Sequence, residues 1–258
     1  MLLGEYRPHR SLGGPGLGDL QVLRNDAGEV VLMKRLHSFS SMHKQILSQM
    51  GKLHSNGFQQ LLPCTQPQDA LYLEFSRKSL EDHLKICQEK DLVVSEADLL
   101  GLLKMLLETG SLLEQIGEFH PSLTLQNIFR LKDRFKLINP YVFDAYIEET
   151  ICGSSRNSSL SRQEKRKVNL VQAGIIVLAM GVLTNEAEIK RTIRSGEIDR
   201  LFRQFQERYS VQLAHIVEDL VSGKVNSFEE GKRRLNGDDS EHFAISPPQD
   251  FDTDIYQS

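Results

Sequence analysis

The sequence predicts an α+β chain in two lobes, strands first and helices after, on three observations. Apolar residues in the first third form short β-rich runs separated by turn residues. From about residue 79 onward they recur at helical spacing. One later run, LVQAGIIVLAMGVL from Leu170 to Leu183, is apolar on nearly all sides, as expected of a helix buried in the middle of a large domain.

The strand signals run from Leu12 to about Leu73. LQVLRNDAGEVVLMKRL holds two β-rich runs joined through Asn25-Asp26-Ala27-Gly28, a turn-type cluster suited to a hairpin. Met42 to Leu53 has helix-like spacing, with Ile46, Leu47, Met50 and Leu53 on one face. ALYLEF reads as a further strand. The helical part opens at SLEDHLK, where Ser79 is a candidate N-cap followed by acidic residues in the first turn. Ser95 to Ile116 is a long amphipathic stretch with Asp98 near a capping-box position. NIFRL and FKLINP, separated by Lys132-Asp133-Arg134, predict a small hairpin. A Ser-rich basic loop from Gly153 to Lys167 follows, then the buried helix and two or three more helices to about Leu235. The expected division is a first lobe over residues 1–75, a second over 76–236 and an acidic, disordered tail over 237–258, which lacks Lys and Arg.

Composition narrows the function classes. The chain has 258 residues, 40% of them apolar and 26% charged, ordinary globular usage that supports a sizeable core. A net charge of −4 gives no reason to expect nucleic acid as a partner. The apolar run 170–183 is interrupted by Gln172 and falls short of the roughly 20 residues that span a bilayer, so no membrane span is expected. Cys64, Cys87 and Cys152 lie far apart, without CxxC or zinc-ligand spacing. Such sparse cysteines fit a reducing compartment, and a cytoplasmic location is expected. MLLGEYRPHR lacks an apolar core and is not read as a secretory signal.

Five motifs carry the functional reading. They are LGGPGLGDL (Leu12 to Leu20), VLMK (Val31 to Lys34), FHPSLTLQNIF (Phe119 to Phe129), FKLINPYVF (Phe135 to Phe143) and KVNLVQAG (Lys167 to Gly174). In order and interval they resemble the motifs of protein kinases, over roughly residues 6 to 235. The resemblance implies the bilobal kinase-like fold. It puts Gly13 and Gly18 on the first and third glycines of the phosphate-covering loop, with Pro15 on the second and Leu20 on the following Val. It puts Lys34 on the Lys that holds the α- and β-phosphates. Taken alone, Lys34 would be an ordinary strand-end lysine.

The same resemblance shows what is missing. Gln45 falls near the Glu that should pair with the strand Lys, and Met42 to Leu53 contains no acid at all. In FHPSLTLQNIF, His120, Leu123 and Asn127 match, while Pro121 replaces Arg and Ser122 replaces the catalytic Asp. Asn139 replaces the metal-binding Asp, Pro140 and Tyr141 follow it, and Asn169 replaces the structural Asp of the buried helix. Ser122 cannot accept a proton as a carboxylate does, and losing a general base costs on the order of 10²–10⁴-fold in rate. Mg²⁺ near phosphates is normally held by one or two carboxylates, which Asn139 does not supply. No ion pair is expected for Lys34. Asp144 and Glu148-Glu149 read as exposed acids of a shortened activation segment, though a shifted register could offer Asp144 to a metal. His120 reads as a packing residue.

The adenine pocket points the same way. Leu32 stands where the family has a small Ala above adenine, and Phe129 stands at the position packed beneath it. With Leu20 they are expected to fill the slot, each contributing about 1.5–3 kcal/mol on burial. The resulting expectation is a catalytically inactive kinase-like domain, a pseudokinase, with poor or no ATP and Mg²⁺ binding and no resident metal. It would act as a scaffold or allosteric regulator of a protein partner, for instance an active kinase. Two alternatives stay open: a weak nucleotide-binding kinase or other phosphotransferase, and a purely structural subunit of a larger assembly. Ser159, three residues after Arg156, and Ser246, before Pro247, are candidate phosphosites. The acidic tail, with aromatics among its acids, could dock on a basic groove or simply solubilise the chain.

Overall fold

The computed structural model of the chain describes residues 6–12, 17–53, 57–62, 69–153 and 160–237. The first lobe is built on an antiparallel sheet of order β1-β2-β3-β4, from Arg7–Ser11, Leu20–Arg24, Val30–Arg35 and Ala70–Glu74. Residues 60–62 run antiparallel along the other side of β4, with Leu62 N–H donating to Tyr72 O at 2.7 Å and Glu74 N–H to Gln60 O at 3.0 Å. The strand signals from Leu12 onward missed β1, an edge strand exposed throughout and therefore without alternating hydrophobicity.

Alternation along β2 to β4 sorts the side chains onto two faces. Leu20, Val22, Leu32, Leu71 and Leu73 join the main core, while Leu23, Val31, Met33, Ala70 and Tyr72 form a smaller cluster on the opposite face. The β2–β3 turn closes as its residues predict. Asn25 N–H bonds Glu29 O, its side-chain oxygen accepts from Glu29 N–H, and Gly28 takes φ +84°. Helix α1 (His43–Lys52) lays Ile46 and Met50 into the core and leaves Gln45 exposed.

The second lobe begins with α2 (Leu80–Lys90) and α3 (Glu96–Gln115). Ser79 and Asp82 form a reciprocal capping box, and the Ser95 hydroxyl accepts from Asp98 N–H. The hairpin β5–β6 (Ile128–Leu131, Arg134–Leu137) and the short α4 (Asp144–Thr150) follow. Helix α5 (Arg162–Val182) is the central element, its last two turns and more buried all round. It starts five residues before the expected end of the Ser-rich loop. The Ser161/Glu164 capping box starts it there, a signal hidden by the basic residues around it. Four helices complete the lobe, not two or three: α6 (Glu186–Ser195), α7 (Asp199–Gln206), α8 (Val211–Val221) and α9 (Phe228–Asn236).

At Gly174 a Cβ would stand 2.8 Å from Leu220 Cβ, so only glycine lets α5 and α8 approach so closely. Among the described residues, no single helix is long and apolar enough to cross a membrane. One continuous core cluster reaches from Leu20 and Leu32 in the sheet to Phe228 on α9, so the cleft lies against packed side chains of both lobes.

Candidate functional site

Lys34 sits on the inward face of β3, two residues from Leu32 and fully buried at 0% exposure. Its Nζ pairs with Asp144 Oδ1 at 2.5 Å and also donates to the carbonyl oxygen of Leu17. This corrects the expectation of an unpaired lysine. The carboxylate comes from the first residue of α4, five positions after Asn139, and not from α1, where Gln45 faces solvent. Asp144 is likewise no freely exposed acid, since its side chain is only 33% accessible. Burial of an ammonium demands a carboxylate and further acceptors, and Asp144 with Leu17 O meets that demand.

Tyr141 and Tyr146 are both buried, with rings meeting edge to face at 5.1 Å on either side of Asp144 in sequence. Burial raises both hydroxyls well above the ordinary tyrosine range. Gly18, with φ +57°, covers the ion pair from above. A Cβ there would overlap the Asp144 carboxylate and come within 2.7 Å of Lys34 Nζ. The loop backbone, Lys34 and Asp144 therefore form one closed cluster.

The loop from His120 to Asn127 is held by its own hydrogen bonds. His120 N–H donates to Asn169 Oδ1 at 2.9 Å, and Asn169 Nδ2 donates back to His120 O at 3.3 Å. Ser122 N–H donates to His120 Nδ1 at 3.2 Å, which leaves the ring proton on Nε2, 3.0 Å from Ile138 O. Burial lowers the His120 pKa to about 4, against the weaker opposing effect of those backbone bonds. His120 is thus a neutral packing group whose ring meets Phe143 edge-on at 5.8 Å. Asn127 Nδ2 donates to Ser122 O at 2.8 Å and to Ser122 Oγ at 3.0 Å.

Asn139 is turned into the protein. It is buried, its side-chain oxygen accepts from Tyr141 N–H at 3.1 Å, and its N–H donates to Gln59 Oε1 at 3.3 Å. Gln59 is itself buried and donates to Glu74 O at 2.7 Å. Glu74 pairs with Lys136 at 2.8 Å, joining the end of β4 to β6 across the lobes. The pairing of Asp144 with Lys34, the role of Gln59 and the Glu74–Lys136 pair escaped the sequence reading. For Asp144 the available signal was an acid opening a helix just after NPYVF; Gln59 and Glu74–Lys136 had none, because their partners are distant in sequence.

Leu20, Leu32 and Phe129 are all buried. Leu32 is enclosed within the core, whereas Leu20 and Phe129 also line a cavity of about 220 Å³. Leu12, Leu17, Phe75 and Ile138 add to its apolar wall, and the Phe75 and Phe129 rings lie 5.7 Å apart. The exposed Arg10 and Arg77 line it as well, together with the half-buried Ser79 and Asn127. Among the described residues, no three or more His, Cys, Asp or Glu side chains are grouped to hold a metal ion. Gly13, Ser159 and Ser246 lie outside the described residues.

No family model and no curated protein sequence matches the chain. Solved structures do. One is a structure titled as the PAN3 pseudokinase of Drosophila melanogaster, with a TM-score of 0.63 and 12% identity. The match covers 90% of this chain and 66% of that one, so the chain spans just under two thirds of that structure's length. An N-terminal four-stranded sheet followed by a helical lobe is the arrangement expected from the motifs. The chain has a bilobal protein kinase-like fold, of the kind seen in that pseudokinase.

Proposed function

We propose that the chain is a catalytically inactive kinase-like domain that works by binding another protein, as a scaffold or allosteric regulator, without using ATP. The observation that carries this reading is the closed Lys34–Asp144–Leu17 cluster beneath Gly18. A triphosphate would have to displace a carboxylate from the buried lysine and lift the glycine off both. Three further features agree. Ser122 offers no carboxylate, Asn139 spends its oxygen on Tyr141 N–H, and Asn127 is engaged by Ser122. The remaining cavity, about 220 Å³, is also below the roughly 300–1,000 Å³ of usual ligand pockets.

Phosphoryl transfer depends on positioning and charge compensation around the γ-phosphate. Here the compensating lysine is already neutralised and the metal carboxylate is replaced by an amide, so the chemistry loses separate parts together. A slow nucleotide-using enzyme is the second reading, favoured by the cavity that Leu20, Phe129 and Asn127 still line.

Thermal melting with millimolar ATP, with and without Mg²⁺, separates the two. A ligand at a hundred times its dissociation constant adds about 2.7 kcal/mol, a clear rise in melting temperature. The expected result is no shift in the parent chain. A metal-dependent shift would reinstate the enzyme reading. Co-purification of one fixed partner at constant stoichiometry would instead favour a structural subunit.

A further inference from the structure

The cavity in the cleft has an apolar floor and a cationic rim, and the described residues leave both unused. Arg10 donates to Arg77 O at 3.3 Å and Arg77 to Gly28 O at 2.6 Å. Both arginines are exposed, both bond only backbone carbonyls, and neither pairs with a carboxylate among the described residues. Among the described residues that line the cavity, the one acid, Asp82, is committed to the Ser79 cap. A cavity of 150 Å³ lined by Leu, Ile and Phe binds benzene in another protein. At about 220 Å³, this one accommodates a phenol side chain entering from the rim. Ser79 is held in its capping box and the Asn127 amide nitrogen by Ser122, but the Asn127 side-chain oxygen can accept from a phenolic hydroxyl, which needs a partner when buried. The occupant is therefore an aromatic group carrying acids on one side.

The chain contains such a segment. Residues 252–256 read Asp-Thr-Asp-Ile-Tyr, and in an extended conformation Asp252, Asp254 and Tyr256 share one face. Successive members of that face are about 6.6–6.8 Å apart. Residues 238–258 carry six carboxylates and no Lys or Arg. Tyr256 lies 19 residues beyond Gly237, at the end of α9, a reach of up to about 63–68 Å. A domain of this size has a radius of gyration of about 17 Å, so the segment can pass from one lobe to the other.

We propose that residues 252–256 of this chain dock in the cleft, Tyr256 entering the cavity and Asp252 and Asp254 pairing with Arg77 and Arg10. The cleft then serves as an intramolecular latch, which a modification of the tail or a competing acidic-aromatic segment could release. This goes beyond the function proposed above, and its test contains no nucleotide, so either can fail without the other.

The test uses a dye-labelled peptide of residues 246–258 and three full-length chains: unsubstituted, Tyr256→Ala, and Tyr256→Ala with Arg10→Glu and Arg77→Glu. Both arginines are exposed and bond only backbone, so an unchanged melting temperature will verify the fold of the last variant. Fluorescence anisotropy should show peptide binding to the Tyr256→Ala chain, whose own tail no longer competes. Binding to the unsubstituted chain should be at least about tenfold weaker, since a tethered segment competes at millimolar effective concentration. Binding to the chain with both charge reversals should be lost. No binding to any chain would overturn the proposal. So would equal binding to the unsubstituted and Tyr256→Ala chains, which assigns the cleft to a segment of a partner protein. Binding that survives the charge reversals would place the tail elsewhere and also sink the idea.

Discussion

Lys34 and Asp144 show a buried ammonium that takes its carboxylate from a distant part of the chain. The helix that should supply a carboxylate has none, yet a buried ammonium without one costs several kcal/mol. The acid arrives from the first residue of α4. Replacing Asp144 by Asn should lower stability by up to about 3 kcal/mol, below the 3–5 kcal/mol of a fully buried pair because Asp144 is one-third exposed. Adding Lys34→Met should restore much of that loss, since no charge then stays buried. Urea denaturation of the two single variants and the double variant measures the coupling; simple additivity would mean that the pair contributes nothing. Asn169 meets a buried need without a charge. An amide both accepts from and donates to the His120 backbone, satisfying two groups with no buried charge.

His120 also makes a pH prediction. Burial lowers it and His83 from 6.5 to about 4, His83 with help from Lys78. The unfolded chain binds protons near pH 6.5 that the folded chain rejects until about pH 4. Stability is therefore whole above 6.5 and falls as pH drops through that window, by up to about 1.4 kcal/mol per pH unit for each histidine. Glu118 and Glu186, raised by burial, oppose this fall over the range just above their ordinary value. A His120→Gln variant should show a shallower dependence of its denaturation midpoint between pH 7 and 5. An unchanged slope would mean that the ring does not titrate in this window.

At the scale of elements, α5 decides the architecture of the second lobe. Its apolar run was plain in the sequence because a helix buried on all sides needs no polar stripe. Its start was not, since Ser161 and Glu164 stand among serines and bases that read as loop. Its contact with α8 depends on Gly174, where Leu220 and Val221 close in. Gly174→Ala should cost about 1–3 kcal/mol by overpacking, although alanine is the better helix former. A drop in melting temperature checks this, and a rise would mean that the two helices separate without penalty. The Ser79 and Ser95 caps were legible from residues three apart, because capping is local chemistry. Strand β1 was not, because an exposed edge strand carries no pattern to read.

For the whole molecule, the lobes are joined by the Glu74–Lys136 pair, by Gln59 between β4 and Asn139, and by a core continuous across the cleft. Local properties were readable without coordinates. Short β-rich runs and turn residues pointed to the inner strands of the sheet, helical spacing to the second lobe, and motif intervals to the order of the kinase-like elements. That Ser122 and Asn139 carry no carboxylate was visible too, because the identity of a residue limits its chemistry wherever it lies. The Lys34–Asp144 pair, the inward turn of Asn139 and the cavity that Arg10 and Arg77 help to line were decided only by folding. Each depends on side chains brought together from distant parts of the chain, and no pattern along the sequence records which distant groups will meet.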